Sequence, residues 1–494
     1  MSPTLSGRSL LILVFGLVPV ASVRAQSVLL EIDGKSDAPV GYALAAIGDV
    51  DGDGAPDLLT SDGGGNARVY SGATGSIIRS HLGNGGNFLS MSGIGDVNLD
   101  GVPDYVIAAP EFPNHRFRGA AAVFSGKDGA LLHAFTGDSD GDYFGASVSA
   151  AGDVDLDGVP DLVVGAPIDH LAWHTTKPAY VRVFSGRTGA KLLEVRGVSA
   201  TDGLGIAVAG TGDLDGDGHP DFVAAGITGG VHAYSGKDGR LMFSFLQNGR
   251  FIQLASSVDI DGDGTNDIVA SFVLSTAQNP NGVSAGVFSG KDGRAIHSYS
   301  RSDTLPGLSV AGIPDMNGDG HDDFMIGAPS FPIVPGTADL FSGKTGELLY
   351  EFRGENSEIL GFSIAALGDL NGDGIVDLCV SSPNFRNGLG KITVYSGNDF
   401  FLLATPRTVR DGDLLTLSSR EGNPGDPTFS AVVKVTGTTV FDPVFGLATL
   451  DSTGARVVSL TVPTGLKGIT FCLQSFALQG SSLLASDEEC VNVK

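Results

Sequence analysis

Asp153-Val154-Asp155-Leu156-Asp157-Gly158-Val159-Pro160-Asp161 sets acidic side chains at positions one, three, five and nine of a nine-residue stretch. An apolar run from Ala146 to Ala151 leads into it, and Asp161-Leu162-Val163-Val164-Gly165 leads out. The same stretch occurs seven times, beginning at Asp49, Asp96, Asp153, Asp213, Asp259, Asp315 and Asp369, at intervals of 46 to 60 residues. Position one is always Asp. Position three is Asp51, Asn98, Asp155, Asp215, Asp261, Asn317 and Asn371, and position five is Asp53, Asp100, Asp157, Asp217, Asp263, Asp319 and Asp373. Position nine is Asp57, Asp104, Asp161, Asp221, Asp267, Asp323 and Asp377.

Only short side chains bearing oxygen occur at these positions, and a hard divalent cation such as calcium takes six to eight oxygen ligands from a tight loop of this kind. Position six is glycine in every copy (Gly54, Gly101, Gly158, Gly218, Gly264, Gly320, Gly374), where a sharp turn is cheapest with a positive φ. Position seven varies freely (Ala55, Val102, Val159, His219, Thr265, His321, Ile375), as a ligand given by a backbone carbonyl allows. Asp-Gly pairs also mark plain surface turns. Turn chemistry alone does not hold positions one, five and nine to Asp through seven copies. The expectation is up to seven structural Ca²⁺ ions, each clipping a β-hairpin. A helical EF-hand is excluded, because each loop ends at position nine and runs directly into a strand.

The formal charge of −26 follows from the same loops, whose metal positions hold 25 of the 56 acidic residues. Each divalent cation cancels two charges, so seven would bring the total to −12. With no basic patch to neutralise phosphates, nucleic acid is not an expected partner. At the N-terminus, Arg8 precedes an apolar run from Leu10 to Val20, and Val23-Arg24-Ala25 stands before Gln26. This is the pattern of a secretory signal over 1–25, and the run is too short for a membrane span. The mature chain is expected to carry no transmembrane segment and to be secreted, extracellular or at the cell surface, where calcium is abundant. Cys472 and Cys490 could close a short loop as a disulfide in that compartment. Cys379 replaces an apolar strand residue and reads as a small buried hydrophobe.

Around each loop the sequence suggests four strands. In the third copy these are 146–151, the run ending in Gly165-Ala166-Pro167, the run ending in Val183-Phe184-Ser185-Gly186, and Lys191 to Val195. The third-strand ending returns as Val69-Tyr70-Ser71-Gly72, Val123-Phe124-Ser125-Gly126, Ala233-Tyr234-Ser235-Gly236, Val287-Phe288-Ser289-Gly290, Leu340-Phe341-Ser342-Gly343 and Val394-Tyr395-Ser396-Gly397. Four-stranded units with a period near 50 indicate a propeller. Val28-Leu29-Leu30-Glu31-Ile32-Asp33-Gly34 matches the fourth-strand segments Leu131 to Gly137 and Leu348 to Gly354, yet no first three strands precede it. It is therefore expected to complete the seventh blade against Lys391 to Ser396, with Phe400 to Ala404 as the competitor for that place.

These units resemble FG-GAP repeats, the blades of the integrin α-subunit head. The resemblance covers residues 28–397 and is carried best by Phe144-Gly145 before the third loop and Gly165-Ala166-Pro167 after it, with Gly327-Ala328-Pro329 and Ala108-Ala109-Pro110 elsewhere. It implies an all-β, seven-bladed propeller over 26–398 with calcium in the hairpins of one face. Residues 399–494 leave the repeat. Their short alternating runs (413–417, 431–435, 456–462, 469–477) suggest a small β-sandwich, similar to β-modules appended to secreted bacterial repeat proteins.

No catalytic motif stands out. The nine histidines are scattered, no Gly-x-Ser-x-Gly elbow stands out, and the loop carboxylates are accounted for as ligands. His219 and His321 are expected to be exposed loop residues. Trp173, with His170 and His174, lies in an insertion from Ile168 to Tyr180. That insertion and the excursions Glu111 to Arg118, Leu274 to Val283 and Ser330 to Gly336 should rise from one face, which the resemblance to integrin α-subunits implies is opposite the acidic loops, and recognition would reside there. The leading expectation is a non-enzymatic, monomeric, calcium-binding adhesion module for a surface glycan or extracellular protein. A hydrolase or lyase built on the ring, or a structural cell-envelope protein, are the alternatives, and fold alone does not separate them.

Overall fold

The computed structural model describes residues 27–397 apart from short internal segments, the longest being 169–177, 275–281 and 302–308, together with six strands further on. Residues 1–26 lie outside the described part, as do Phe400 to Ala404 and Trp173 with its two neighbouring histidines. The unit Ser27–Thr405 contains seven four-stranded antiparallel sheets. Blade 3 is typical, with Ser147–Gly152, Asp161–Ala166, Tyr180–Phe184 and Lys191–Arg196 paired in that order. The other blades begin at Ala43–Gly48, Ser90–Gly95, Ala207–Gly212, Arg250–Val258, Ser309–Ile313 and Ile364–Gly368. These first strands are neighbours all round the ring, Ala43–Gly48 touching both Ser90–Gly95 and Ile364–Gly368.

Packing explains why the second strands are apolar on both faces. Every residue of Asp161–Ala166 is buried. Leu162, Val164 and Ala166 join a cluster with Ile94, Val106 and Val123 of blade 2. Val163 faces the other way, into a cluster with Val208, Phe222 and Ala224 of blade 4. Each fully buried aliphatic side chain contributes about 1.5–3 kcal/mol, so the core is a ring of interfaces between blades. Cys379 takes the same place in blade 7, 1% exposed, and burial pushes its thiol up to about 12. Serine hydroxyls near the axis add cross-links, accepting from Val148 N (Ser90 Oγ, 3.0 Å), Val208 N (Ser147 Oγ, 3.0 Å) and Leu44 N (Ser363 Oγ, 3.1 Å).

The Phe-Gly pair sits at one such interface. Phe144 is fully buried, and Gly145 has φ +86° and donates its N–H to Gly165 O at 2.8 Å. A Cβ there would stand 2.8 Å from both Ala108 Cβ and Ala120 O, so blade 2 approaches too closely for any other residue.

The ring closes as the sequence suggests. Val28–Asp33 is the outer strand of blade 7, antiparallel to Lys391–Tyr395, with Glu31 opposite Thr393 and Asp33 opposite Lys391. Ser396 N donates to Ser27 O at 2.9 Å, Arg386 pairs with Asp33 at 2.7 Å, and Lys391 pairs with Glu31. Ile32 is buried against Leu58, Ile392 and Val394.

The unit containing Pro406–Lys494 has two sheets by backbone pairing. Leu414–Ser419 pairs with Arg456–Thr461, and a second sheet joins Leu447–Thr449, Pro427–Phe429, Thr470–Gln479 and Ser482–Asn492. The register of the last two strands sets Cys472 opposite Cys490, the positions that the sequence marks for a disulfide.

Candidate metal centre

Each acidic loop is the turn between the first and second strands of its blade, and position nine is the first residue of every second strand. The seven loops therefore share one edge of the propeller. In loop 3 the position-one carboxylate gathers the turn, Asp153 Oδ1 accepting from Asp157 N at 2.9 Å and Oδ2 from Gly158 N at 2.8 Å. Position three accepts from the amide of position five (Asp155 Oδ1, 3.2 Å), and position five from that of position seven (Asp157 Oδ1, 3.0 Å). Asparagine does the same at position three, since only its carbonyl oxygen is needed. Asn98, Asn317 and Asn371 accept from Asp100, Asp319 and Asp373 N at 2.9, 3.0 and 2.9 Å.

These bonds turn the carboxylates inward. Oxygens of Asp49, Asp51 and Asp53 lie within 4.8 Å of one another, as do those of Asp153, Asp155 and Asp161, of Asp213, Asp215 and Asp221, and of Asp259, Asp261 and Asp263. Three like charges at that spacing repel, and a divalent cation among them reverses the sign of the interaction. The donor set is all carboxylate and amide oxygen, which suits a hard ion such as calcium or magnesium and not a soft one. The loops thus fit a metal ion.

Position nine has a further task. Its two oxygens tie the loop to the rest of the blade, Asp161 Oδ2 accepting from Val154 N at 2.8 Å and Oδ1 from Gly186 N at 2.9 Å. The pair of bonds is repeated at Asp57, Asp104, Asp221, Asp267, Asp323 and Asp377. This accounts for the Ser-Gly ending of the third strand: a Cβ on Gly186 would lie 1.9 Å from Pro160 O. All seven position-nine residues are fully buried. Burial raises their carboxyls against the opposing pull of the two amides, to about 6 at Asp57, Asp161, Asp221 and Asp267 and to about 7 at Asp323, with Asp104 and Asp377 moved the same way.

Measured in chelator by urea unfolding, Asp161→Asn should therefore cost about 2–3 kcal/mol, because it leaves a buried amide without an acceptor. The half-buried Asp157→Asn should cost less than about 1 kcal/mol. Equal costs would refute the division of labour between the two positions.

Three features of the site escape the sequence pattern. Position four is left-handed in every copy, with glycine in five and with Leu99 and Leu156 at φ 60° in the other two. His219 and His321 are half-buried rather than exposed. Their Nδ1 atoms reach Val154 O at 2.8 Å and Ile260 O at 2.9 Å, so each ring bridges its loop to the loop of the preceding blade. Position eight also reaches the preceding blade: Asn266 donates to Thr211 O of its first strand at 3.0 Å, and Asp322 accepts from Asp259 N of its loop at 2.9 Å.

A family model described as FG-GAP-like repeat matches residues 213–270, and one described as FG-GAP repeat matches 144–172, 306–346 and 360–395. Integrin alpha-3 of Cricetulus griseus is 32% identical over 130 residues, covering 24% of this chain and 12% of that protein. Integrin alpha-V of Gallus gallus is 30% identical over 155 residues (29% and 15%), and integrin alpha-5 of Xenopus laevis is 28% identical over 244 residues (48% and 19%). The chain therefore spans less than a fifth of the length of these relatives. With seven blades, the Phe-Gly interface and these matches in register with the acidic loops, the chain is an FG-GAP repeat β-propeller similar to the heads of integrin α-subunits.

Proposed function

We propose that the chain is a secreted, monomeric, calcium-stabilised adhesion module that binds a surface glycan or an extracellular protein without catalysing a reaction. The observation that carries this reading is the division of the ring into two edges. On one edge stand seven acidic loops, four of them with converging carboxylate oxygens, that suit Ca²⁺, which couples to folding where it binds only the native form. At the opposite edge the second strands end and the connections of variable length begin, after Ala109, Ala166 and Ala328. Loops on a rigid scaffold are the usual seat of recognition. The similarity to integrin α-subunits supports the adhesive reading, and residues 399–494 are read as an appended β-sandwich.

The test is a pull-down of residues 26–494 on isolated cell envelopes and on a glycan array, in calcium and then in chelator. Saturable binding that chelator abolishes is expected. No binding by protein shown to be folded would overturn the reading. Asp157→Ala should lower the bound calcium by one ion per chain in equilibrium dialysis, and an unchanged stoichiometry would remove loop 3 from the set.

A further inference from the structure

At positions one, three, five and nine, loops 1, 3, 4 and 5 each carry four aspartates, and loops 2, 6 and 7 carry three with one asparagine. Ligand charge alone would rank loops 4 and 5 among the tightest calcium sites. The turn that follows the Ser-Gly ending opposes that ranking. In blades 4 and 5 it reads Ser235-Gly236-Lys237-Asp238-Gly239-Arg240 and Ser289-Gly290-Lys291-Asp292-Gly293-Arg294, with two basic residues where blade 1 has Ala73 and Ser76. The turn backs onto the acidic loop because position nine holds the adjoining Gly236 or Gly290 amide, at 2.8 and 3.0 Å.

The arginines then reach the ligand carboxylates themselves. Arg240 Nη2 lies 2.5 Å from Asp215 Oδ2, and Arg294 Nη2 lies 2.6 Å from Asp261 Oδ2, both at position three. Lys237 and Lys291 stand 3.6 and 3.7 Å from Asp217 and Asp263, both at position five. Arg187 makes a single such contact in loop 3, to Asp157 at 2.9 Å. Lys344 in blade 6 reaches only a backbone oxygen, that of Asp319, at 2.7 Å. Among the described residues, no basic side chain pairs with the carboxylates of loop 1, where Asp53 accepts from the neutral Ser71 hydroxyl at 3.2 Å.

We infer that Arg240 and Arg294 act as built-in competitors of calcium, making loops 4 and 5 low-affinity sites that fill after loop 1. The inference rests on the calcium reading and goes beyond it by grading the sites. A guanidinium on a carboxylate makes a charge-assisted hydrogen bond, and it also sets a positive charge a few ångströms from where the ion must sit. Calcium must either displace the arginine or bind beside it, and both weaken binding. The chain then responds over a wide span of calcium concentration, with blade 1, which adjoins the ring closure, secured first.

The experiment uses the full chain and Ca²⁺ itself, with bound ions counted by equilibrium dialysis across a range of free calcium and heats followed by calorimetry. Arg240→Ala with Arg294→Ala should move two ions to roughly tenfold lower free calcium at low salt. Arg240→Lys with Arg294→Lys, which keeps the charge, should move them much less, and Arg386→Ala, remote from the loops, should move none. To assign the classes, Asp51→Ala should remove an ion from the tight end of the curve and Asp215→Ala one from the weak end. If the wild type binds calcium but the double alanine variant overlays it, or if Asp215→Ala removes a tight ion, the inference is overturned. If the wild type binds no calcium under any condition, the calcium reading itself fails, a distinct result.

Discussion

Deleting residues 27–33 is expected to destabilise the propeller by on the order of 5 kcal/mol, the sum of one buried aliphatic side chain and a ladder of strand hydrogen bonds. The segment supplies Ile32 to the cluster between blades 7 and 1, pairs with Lys391–Tyr395 along its length, and anchors Arg386 and Lys391. Its loss leaves blade 7 with three strands and turns Lys391–Tyr395 into an open edge, which is a template for pairing with other chains. Chemical unfolding and light scattering should therefore report a lower midpoint together with self-association. A synthetic peptide of residues 27–34 added in excess should reverse both, because the slot it fills remains intact. An unchanged midpoint would mean that the ring does not depend on this strand.

Calcium and chelator are expected to give opposite pH dependences of stability. In chelator the position-nine carboxyls have folded values near 6, raised from an ordinary 3.8 by burial. A raised carboxyl is protonated more readily in the folded state than in the unfolded one. Its stabilising contribution is complete below pH 3.8 and fades as pH rises through 6. Between pH 7 and pH 5 the metal-free protein should gain about 1 kcal/mol for each such loop. With calcium the direction reverses, since the ion requires ionised ligands and protons compete with it. At pH 7, calcium at a thousand times its dissociation constant adds about 4 kcal/mol for each filled site. The two unfolding curves should thus lie far apart at pH 7 and converge as pH falls towards 5. Parallel pH dependences with and without calcium would contradict the coupling of these carboxyls to the metal.

Much of the architecture was legible because it is periodic. Seven loops at fixed offsets gave the blade count, the Ser-Gly endings gave the third strands, and the similarity of Val28–Asp33 to fourth strands gave the closure. What remained hidden depends on contacts between blades, which the spacing within one repeat does not encode. His219 looks like a free choice at position seven because its partner, Val154 O, is 65 residues away in another loop. Position nine shows in its spacing only the reading of one more ligand; its two amide bonds and complete burial, which make it also the post on which the loop stands, do not show there. Leu99 and Leu156 hide the left-handed fourth position, since leucine gives no sign of a positive φ that its glycine counterparts make evident.

Closure has a consequence in time as well as in space. Val28–Asp33 is among the first described segments to leave the ribosome, and its partner Lys391–Tyr395 follows more than 350 residues later. At about 5–20 residues per second, the strand waits roughly 20 to 70 seconds for the edge it completes. Through that interval it is an unpaired strand with apolar residues at Val28, Leu29, Leu30 and Ile32. Glu31 and Asp33 are the charges that guard it against pairing with the wrong chain. When Lys391 and Arg386 at last arrive, the same two carboxylates become its points of attachment.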